Sequence, residues 1–429
     1  FIGLYVVCVS FDNANGIPGL IFIGAMMVPF SLMIFMWECN VPRNISIADC
    51  VSMFFVGGVL SLVFTLFVFS VIGSAATTEN FIGPFFIGLA EELGKAAIVT
   101  YYVRKRDCKY ILNGLLVGAC VGAGFAVFET AGYIFNALLG GADAMYVLFL
   151  RALLAVGGHV SWAAMEGAGL VAAKGDKPFD WNMLASGRFI AFLLIAMVLH
   201  AVWDMPIEFG SNIYLVQIIL SVVAVVIILV LISAGLRQVV RYTKAAQEKA
   251  IAQLGELAEK ARAEAGDEAA MLFETHQMMA EDMDYEEAIE GLIKEEKLNA
   301  EAAVRKTANG ARQQFERMND PYFRERVRDI DDIERRLLKA LTGYEHNPAE
   351  GLSEPSVIVA DDLTPSETVQ LPREMVLGFA TNGGSTTSHV ALLARALAIP
   401  AVCGLGDITS RVEPGETVLL DGTNGAVTL

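Results

Sequence analysis

Eight apolar stretches crowd the first 240 residues, at about 1–10, 17–37, 48–73, 81–103, 110–138, 144–172, 187–209 and 213–240, and they constrain the fold more than any other feature. A bilayer core takes about 20 mostly apolar residues per helix, so the stretches after the first are long enough to cross. The chain opens at Phe1 inside the first, with no initiator Met, and reads as a fragment that begins within a span. Arg104, Lys105, Arg106 and Lys109 share one loop, Lys174, Lys177 and Arg188 flank another, and Arg237, Arg241 and Lys244 follow the last stretch. The alternating loops at 74–80, 139–143 and 209–212 hold no Lys or Arg. Positive charge marks the cytoplasmic side, so everything after the last span is expected in the cytoplasm and the protein in a bacterial inner membrane.

Composition changes where the apolar stretches end. Phe1 to Thr243 carries 14 acidic and 12 basic residues, while the remainder carries 34 and 19 of the chain's 48 and 31. So acidic a half lacks the basic footprint that phosphate backbones require, which argues against a nucleic-acid partner. The six cysteines show neither a CxxC nor another zinc spacing, and no disulfide framework is indicated.

Ionisable side chains at membrane depth are costly, and their default reading is functional. Glu91, Glu92 and Lys95 lie in GLAEELGKAAIV, Glu129 in AVFETAGYIF, His159 in AVGGHVSWAAME, and His200 with Asp204 in VLHAVWDMP. On a helix Lys95 reaches Glu92 at i,i+3 or Glu91 at i,i+4, neutralising one carboxylate and leaving the other free. His200 and Asp204 share a face, so Asp204 either orients the imidazole or joins it on one ion. Carboxylates with two histidines on separate helices suit a buried metal-activated water, with His159, His200 and Glu92 as ligands, Zn²⁺ as the ion and a spare carboxylate as base. The plainer alternative is a set of interhelical hydrogen bonds or a proton path.

Beyond Thr243 the periodicity is helical to about Leu341, with breaks at Gly266, near Asp282 to Asp284 and at Asn319-Asp320-Pro321, giving an antiparallel bundle of about four helices. The last span is expected to run straight into its first helix. Short β-rich runs then follow, SVIVA, MVLGFAT, IPAVCG, TVLLDG and AVTL, for a small α/β domain. Its chemical centre is TNGGSTTSHVALLARALAIPAVCG, where His389 opens a helix after Gly383, Gly384 and a Ser/Thr run. A helix N-terminus favours a neutral, nucleophilic imidazole and a transferred phosphoryl group. Gly384, Thr387, Ser388 and Arg395 are the candidate phosphate contacts. A Ser-capped histidine without further chemistry is the plainer reading.

The elements EELGK, FETAGY, a histidine in a Gly-rich span and HAVWD, in that order over Gly83 to Pro206, resemble the PrsW family of intramembrane proteases, although no HExxH occurs. The resemblance implies peptide-bond cleavage of a single-span membrane protein such as an anti-sigma factor, with Glu91, Glu92, Glu129, His159, His200 and Asp204 as the catalytic set. From about Gln247 onward FETHQMM, DPYFRERVRDIDDIERRLLK, VADDLTPSETVQL and TTSHVALLARALAIPAV resemble the N-terminal half of enzyme I, the phosphoenolpyruvate-protein phosphotransferase of the bacterial sugar phosphotransferase system. That resemblance implies that His389 is the phosphohistidine, that the α/β part is a swivelling domain and that the bundle docks the carrier HPr. His276 then reads as a helix-packing residue and His346 as a loop residue.

The expected fold is therefore a polytopic α-helical membrane domain of about eight spans, a cytoplasmic helical bundle and a small α/β swivelling phosphohistidine domain, divided as 1–243, 244–345 and 346–429. Three departures from the enzyme I pattern stand out. Ser385 and Thr386 occupy positions where Gly and Arg commonly stand, the opening strand is replaced by the last membrane span, and the barrel that binds phosphoenolpyruvate and Mg²⁺ does not follow NGAVTL. Phosphorylation by phosphoenolpyruvate is thus not expected of this chain alone. A natural fusion and a joined fragment both remain open, the departures favouring the second. A non-proteolytic transport or binding module with a regulatory HPr-docking domain is the alternative function.

Overall fold

The computed structural model describes residues 1–207, 214–318, 321–343, 352–386 and 388–429, and His346 and Thr387 lie outside that set. Two compact units divide at Val239/Val240.

Among the described residues six helices are long and apolar enough to cross a membrane, the sixth beginning in the first unit at Leu215. The five up to residue 204 are α1 (Ile17–Cys39), α2 (Ile47–Ile72), α4 (Ile111–Leu139), a broken helix over Ala144–Lys174 and α7 (Gly187–Asp204). The helix α3 (Gly83–Lys105) matches them in length at 23 residues but carries Glu91, Glu92 and Lys95, all buried. The first stretch forms only a short helix, Ile2–Tyr5, and a wider turn, Val6–Ser10. The stretch read as one span at 144–172 is interrupted: α5 (Ala144–Leu154) ends in a tight turn, Ala155–Gly157, and α6 (His159–Lys174) starts at the histidine itself.

The centre of this unit is the α4/α6 pair, made close by glycine. Gly114, Gly118 and Gly122 recur every fourth residue on one face of α4. A Cβ at Gly118 would lie 1.9 Å from the carbonyl oxygen of Ala163, and one at Gly122 would lie 2.3 Å from that of His159. In lipid, where apolar surface has no driving force to hide from its own solvent, such backbone contact is a main source of helix association.

The helix α8 (Leu215–Ala265) continues without a break from the last apolar stretch, and in the second unit its charged end packs with α9 (Asp267–Ala280), α10 (Met283–Lys294), α11 (Ala300–Glu316) and α12 (Pro321–Thr342). One break more than the periodicity suggests falls at 295–299, where the Asn299 side chain accepts from the amide of Ala302 and caps α11. The strands β1 (Ser356–Ala360), β2 (Val376–Thr381) and β3 (Ala401–Val402) form a parallel sheet in that order, with β4 (Leu419–Asp421) and β5 (Ala426–Thr428) as an antiparallel pair. Two helices, α13 (Pro365–Gln370) and α14 (His389–Ala396), follow β1 and β2. Val390 and Ala394 of α14 bury against Phe379 and Val376 of β2, with Leu363 and Leu371 completing the core. This β-α-β arrangement delivers His389 to the carboxyl end of β2, the position where open α/β sheets bind ligands.

Candidate functional sites

In the membrane unit α3, α4, α6 and α7 bring Glu91, Glu92, Glu129, His159, His200 and Asp204 together. Glu92 accepts from Lys95 Nζ at 2.6 Å and pairs with His200 Nδ1 at 2.5 Å. Glu129 pairs with His159 Nε2 at 2.9 Å and with Arg151. Each imidazole is thereby held from one side by a carboxylate, and its other nitrogen turns inward. His200 Nε2 lies 3.6 Å from Glu91 Oε2 and 3.4 Å from Asp204, while His159 Nδ1 lies 3.9 Å from Glu91 Oε2 and 2.9 Å from Lys95 Nζ. Ligand atoms of Glu91, His159 and His200 all sit within 4.8 Å of one another. Glu91, not Glu92, thus completes the metal-capable group, because Lys95 and His200 already engage Glu92.

Three residues of this site were passed over in the sequence. Trp162 stacks on His200 with ring centroids 4.5 Å apart. Glu166 is fully buried against Glu92. Arg151 neutralises Glu129 and donates to Thr130 at 3.0 Å. Arg151 and Glu166 met the criterion applied to their neighbours, an ionisable group inside an apolar stretch. A cavity of about 190 Å³ reaches His159 between Pro29, Leu154, Trp162, Trp203 and Tyr214.

In the second unit Ser388 caps α14, its hydroxyl accepting from the amide of Ala391. His389, the first helical residue, places Nδ1 3.2 Å from Asp329 Oδ1 of α12, so Nδ1–H donates and Nε2 is left for chemistry. The same Asp329 oxygen faces His276 Nε2 at 3.1 Å, and His276 Nδ1 lies 3.3 Å from Asp332, which accepts from the Ser366 hydroxyl at 2.6 Å. His276 is therefore more than a packing residue, although it does share the buried face of α9 with Phe273 and Ala280. Burial opposes its charge, yet Asp329 and Asp332 raise its pKa to about 9. Asp329, despite burial, is held well below the carboxylate range by His276 and His389.

Of the proposed phosphate contacts, Gly384 takes φ +95° in the loop before α14, a conformation other residues resist. Arg395 stands in the last turn of α14 and lines a different cavity, with Thr386 and Cys403. The arginines beside His389 are Arg328 and Arg335, which line a pocket with Asp329, Asp362 and Ser388.

Comparison with known proteins divides the chain in the same way. Residues 47–232 match the PrsW family intramembrane metalloprotease, 234–326 the PEP-utilising enzyme, N-terminal, and 352–425 the PEP-utilising enzyme, mobile domain. The phosphoenolpyruvate-protein phosphotransferase of Mycoplasma capricolum is 41% identical over 182 residues, covering 42% of this chain and 32% of the relative. That of Listeria innocua is 40% identical over 189 residues, covering 44% and 33%. The chain spans about a third of the length of these curated relatives. Among solved structures, an enzyme I protein determined by NMR is 40% identical, covers 46% of this chain and 79% of its own, and superposes with a TM-score of 0.39. The N-terminal domain of a nitrogen-type enzyme I gives 25%, 44%, 77% and 0.33. One chain thus carries a PrsW family domain at residues 47–232 and, from 234 to 425, two domains of PEP-utilising enzymes.

Proposed function

We propose that the membrane unit hydrolyses a peptide bond of a single-span membrane protein, with Glu91, His159 and His200 at the reacting centre. The observation that carries this is the convergence of their ligand atoms within 4.8 Å, each imidazole braced from behind by its own carboxylate. Two nitrogens and one carboxylate oxygen are a catalytic zinc donor set with one position open, and Glu91 Oε2 is buried with no hydrogen-bond partner, as a ligand awaiting a cation would be. A divalent metal held there would supply a Lewis acid and a water acidic enough to attack at neutral pH. The chain's own residues do the rest. Glu92 and Glu129 fix the tautomers, Lys95 and Arg151 neutralise those carboxylates, and Asp204, a quarter exposed, is placed to hold the proton of the attacking water. Purified protein in bilayers should cut a single-span reporter, and His200→Ala should not. An uncut reporter with the parent protein returns the site to proton relay or transport.

The cytoplasmic unit, on this reading, exchanges a phosphoryl group between HPr and His389. With Nδ1–H donated to Asp329, the Nε2 lone pair attacks phosphorus, the P–N bond to the carrier imidazole breaks, and that ring departs with the bonding pair. Asp329 offsets the positive charge gathering on His389, and His276 keeps Asp329 ionised. The α/β part then acts as the swivelling element and the acidic bundle as the HPr platform. Charge stabilisation and positioning carry most of such a transfer. Radiolabel from phospho-HPr should enter the parent and not His389→Ala. Label retained by that variant would exclude His389 as acceptor.

A further inference from the structure

A second concave site lies in the cytoplasmic unit, between α8, α12 and α13. Its cavity, about 430 Å³, matches the pockets that enclose small metabolites. Lys249, Arg335, Arg336 and Lys339 line it, against Asp332 and Glu367. Both carboxylates are engaged elsewhere. Asp332 faces His276 and accepts from Ser366, while Glu367 accepts from the amide and hydroxyl of Thr364 and faces Lys339 at 3.6 Å.

Among the described residues neither carboxylate hydrogen-bonds Arg335 or Arg336, although Asp332 and Glu367 both act on the charge of Arg336. Arg336 is only 8% exposed, its one hydrogen bond, to Gln253 Oε1, is long at 3.4 Å, and its buried Nε–H has no partner. Guanidinium stays protonated, so a buried one calls for an anion, and its planar fork meets carboxylate and phosphate two bonds at a time. A concentration of cations is also the reverse of what this half's composition, 34 acidic to 19 basic residues, would place in a cavity by chance.

We propose that this cavity binds a small polyanion bearing at least two phosphate or carboxylate groups, one for each of Arg335 and Arg336. Arg335 also lines the pocket of His389, so an occupant would lie one side chain from the acceptor. The site does not depend on the phosphotransfer reading. Burial works against the charge of Arg336 and lowers its pKa, and a bound anion reverses that effect.

The experiment is equilibrium dialysis of the full chain in nanodiscs against labelled pyrophosphate and labelled citrate, with no HPr present, so that its failure leaves the His389 reading untouched. At least one probe should bind saturably at one site, and binding should weaken at least tenfold in Arg335→Gln and Arg336→Met but not in Arg411→Gln, an exposed control. Pyrophosphate alone identifies phosphate chemistry, citrate alone polycarboxylate chemistry, and both together recognition by charge. If Arg336→Met fails to fold, the exposed Arg335 decides by itself. No saturable binding of either probe, or parental affinity in Arg335→Gln, overturns the proposal.

Discussion

Each unit is centred on a pair of histidines, and the two pairs use carboxylates in opposite ways. In the membrane unit every imidazole has a carboxylate to itself, Glu92 behind His200 and Glu129 behind His159, and the second nitrogens face Glu91, with Lys95 also on His159 and Asp204 also on His200. In the second unit His389 and His276 share one carboxylate, Asp329, and the His389 side chain stays partly exposed. The first arrangement converges on a point inside the protein, as a bound ion requires. The second leaves one imidazole accessible, with His389 at 32% side-chain exposure beside the buried Asp329 and His276, an arrangement that suits the proposed reaction with another protein.

The largest expected effect tests the convergence. Glu91→Gln removes an inward donor and should lower reporter cleavage by at least about a thousandfold. Glu92→Gln and Glu129→Gln remove only the braces and should cost about 10- to 100-fold, with metal affinity falling in parallel. Equal losses from all three changes would dissolve the distinction between donor and brace. A chelator should silence the parent protein, and added zinc should restore it.

The shared carboxylate makes stability depend on pH. His276 titrates at about 9 in the folded protein against an ordinary 6.5. Its stabilisation is complete below about pH 6.5 and disappears as pH rises through 9. That shift corresponds to about 3 kcal/mol, to be read from denaturant unfolding of the second unit between pH 6 and 10. His276→Phe should flatten the alkaline limb. Asp329, depressed in the folded state, gives the opposite limb, its contribution present above about pH 4 and lost on acidification.

Asp329→Asn should slow phosphoryl transfer from HPr about tenfold to a hundredfold without abolishing it, because Nε2 survives while its orientation and charge balance do not. A rate equal to the parent's would mean that the shared carboxylate serves stability alone.

Much of this was legible in the sequence, and the rest fails for identifiable reasons. The ionisable residues announced themselves by sitting in apolar stretches, and every β-rich run became a strand. Spacing along one helix could not decide between Glu91 and Glu92, since Lys95 reaches either. The choice is made by His159 and His200 from other helices. His276 looked like core because it lies on an apolar stripe, and the aspartates that give it a role come from α12, more than 50 residues later. Nearness in sequence makes Arg395 a candidate phosphate contact, but it lines a different cavity from His389. A helix turns such a neighbour away, and Arg335 arrives from the bundle in its place.

The smallest effect separates two uses of glycine. At Gly118 a side chain is excluded by another backbone, the Ala163 carbonyl, so any substitution must push two helices apart. At Gly384 the obstacle is conformational: φ is +95°, and a Cβ would press on the Cβ of Cys403 at 3.0 Å, with Cys403 Sγ and Thr381 Oγ1 at an ordinary 3.7 Å. An alanine there should cost about 1–2 kcal/mol, from a backbone region that L-residues disfavour with a small contribution from the contact. The loop is anchored independently, by Gly383 donating to the Asp361 carbonyl and Gly404 to that of Gly383, and the Ser388 cap lies beyond it. Gly384→Ala should therefore lower the melting temperature of the second unit while its labelling by phospho-HPr stays within a few-fold of the parent's. Lost labelling at full thermal stability would place Gly384 at the phosphoryl group itself, where only a bare backbone can approach.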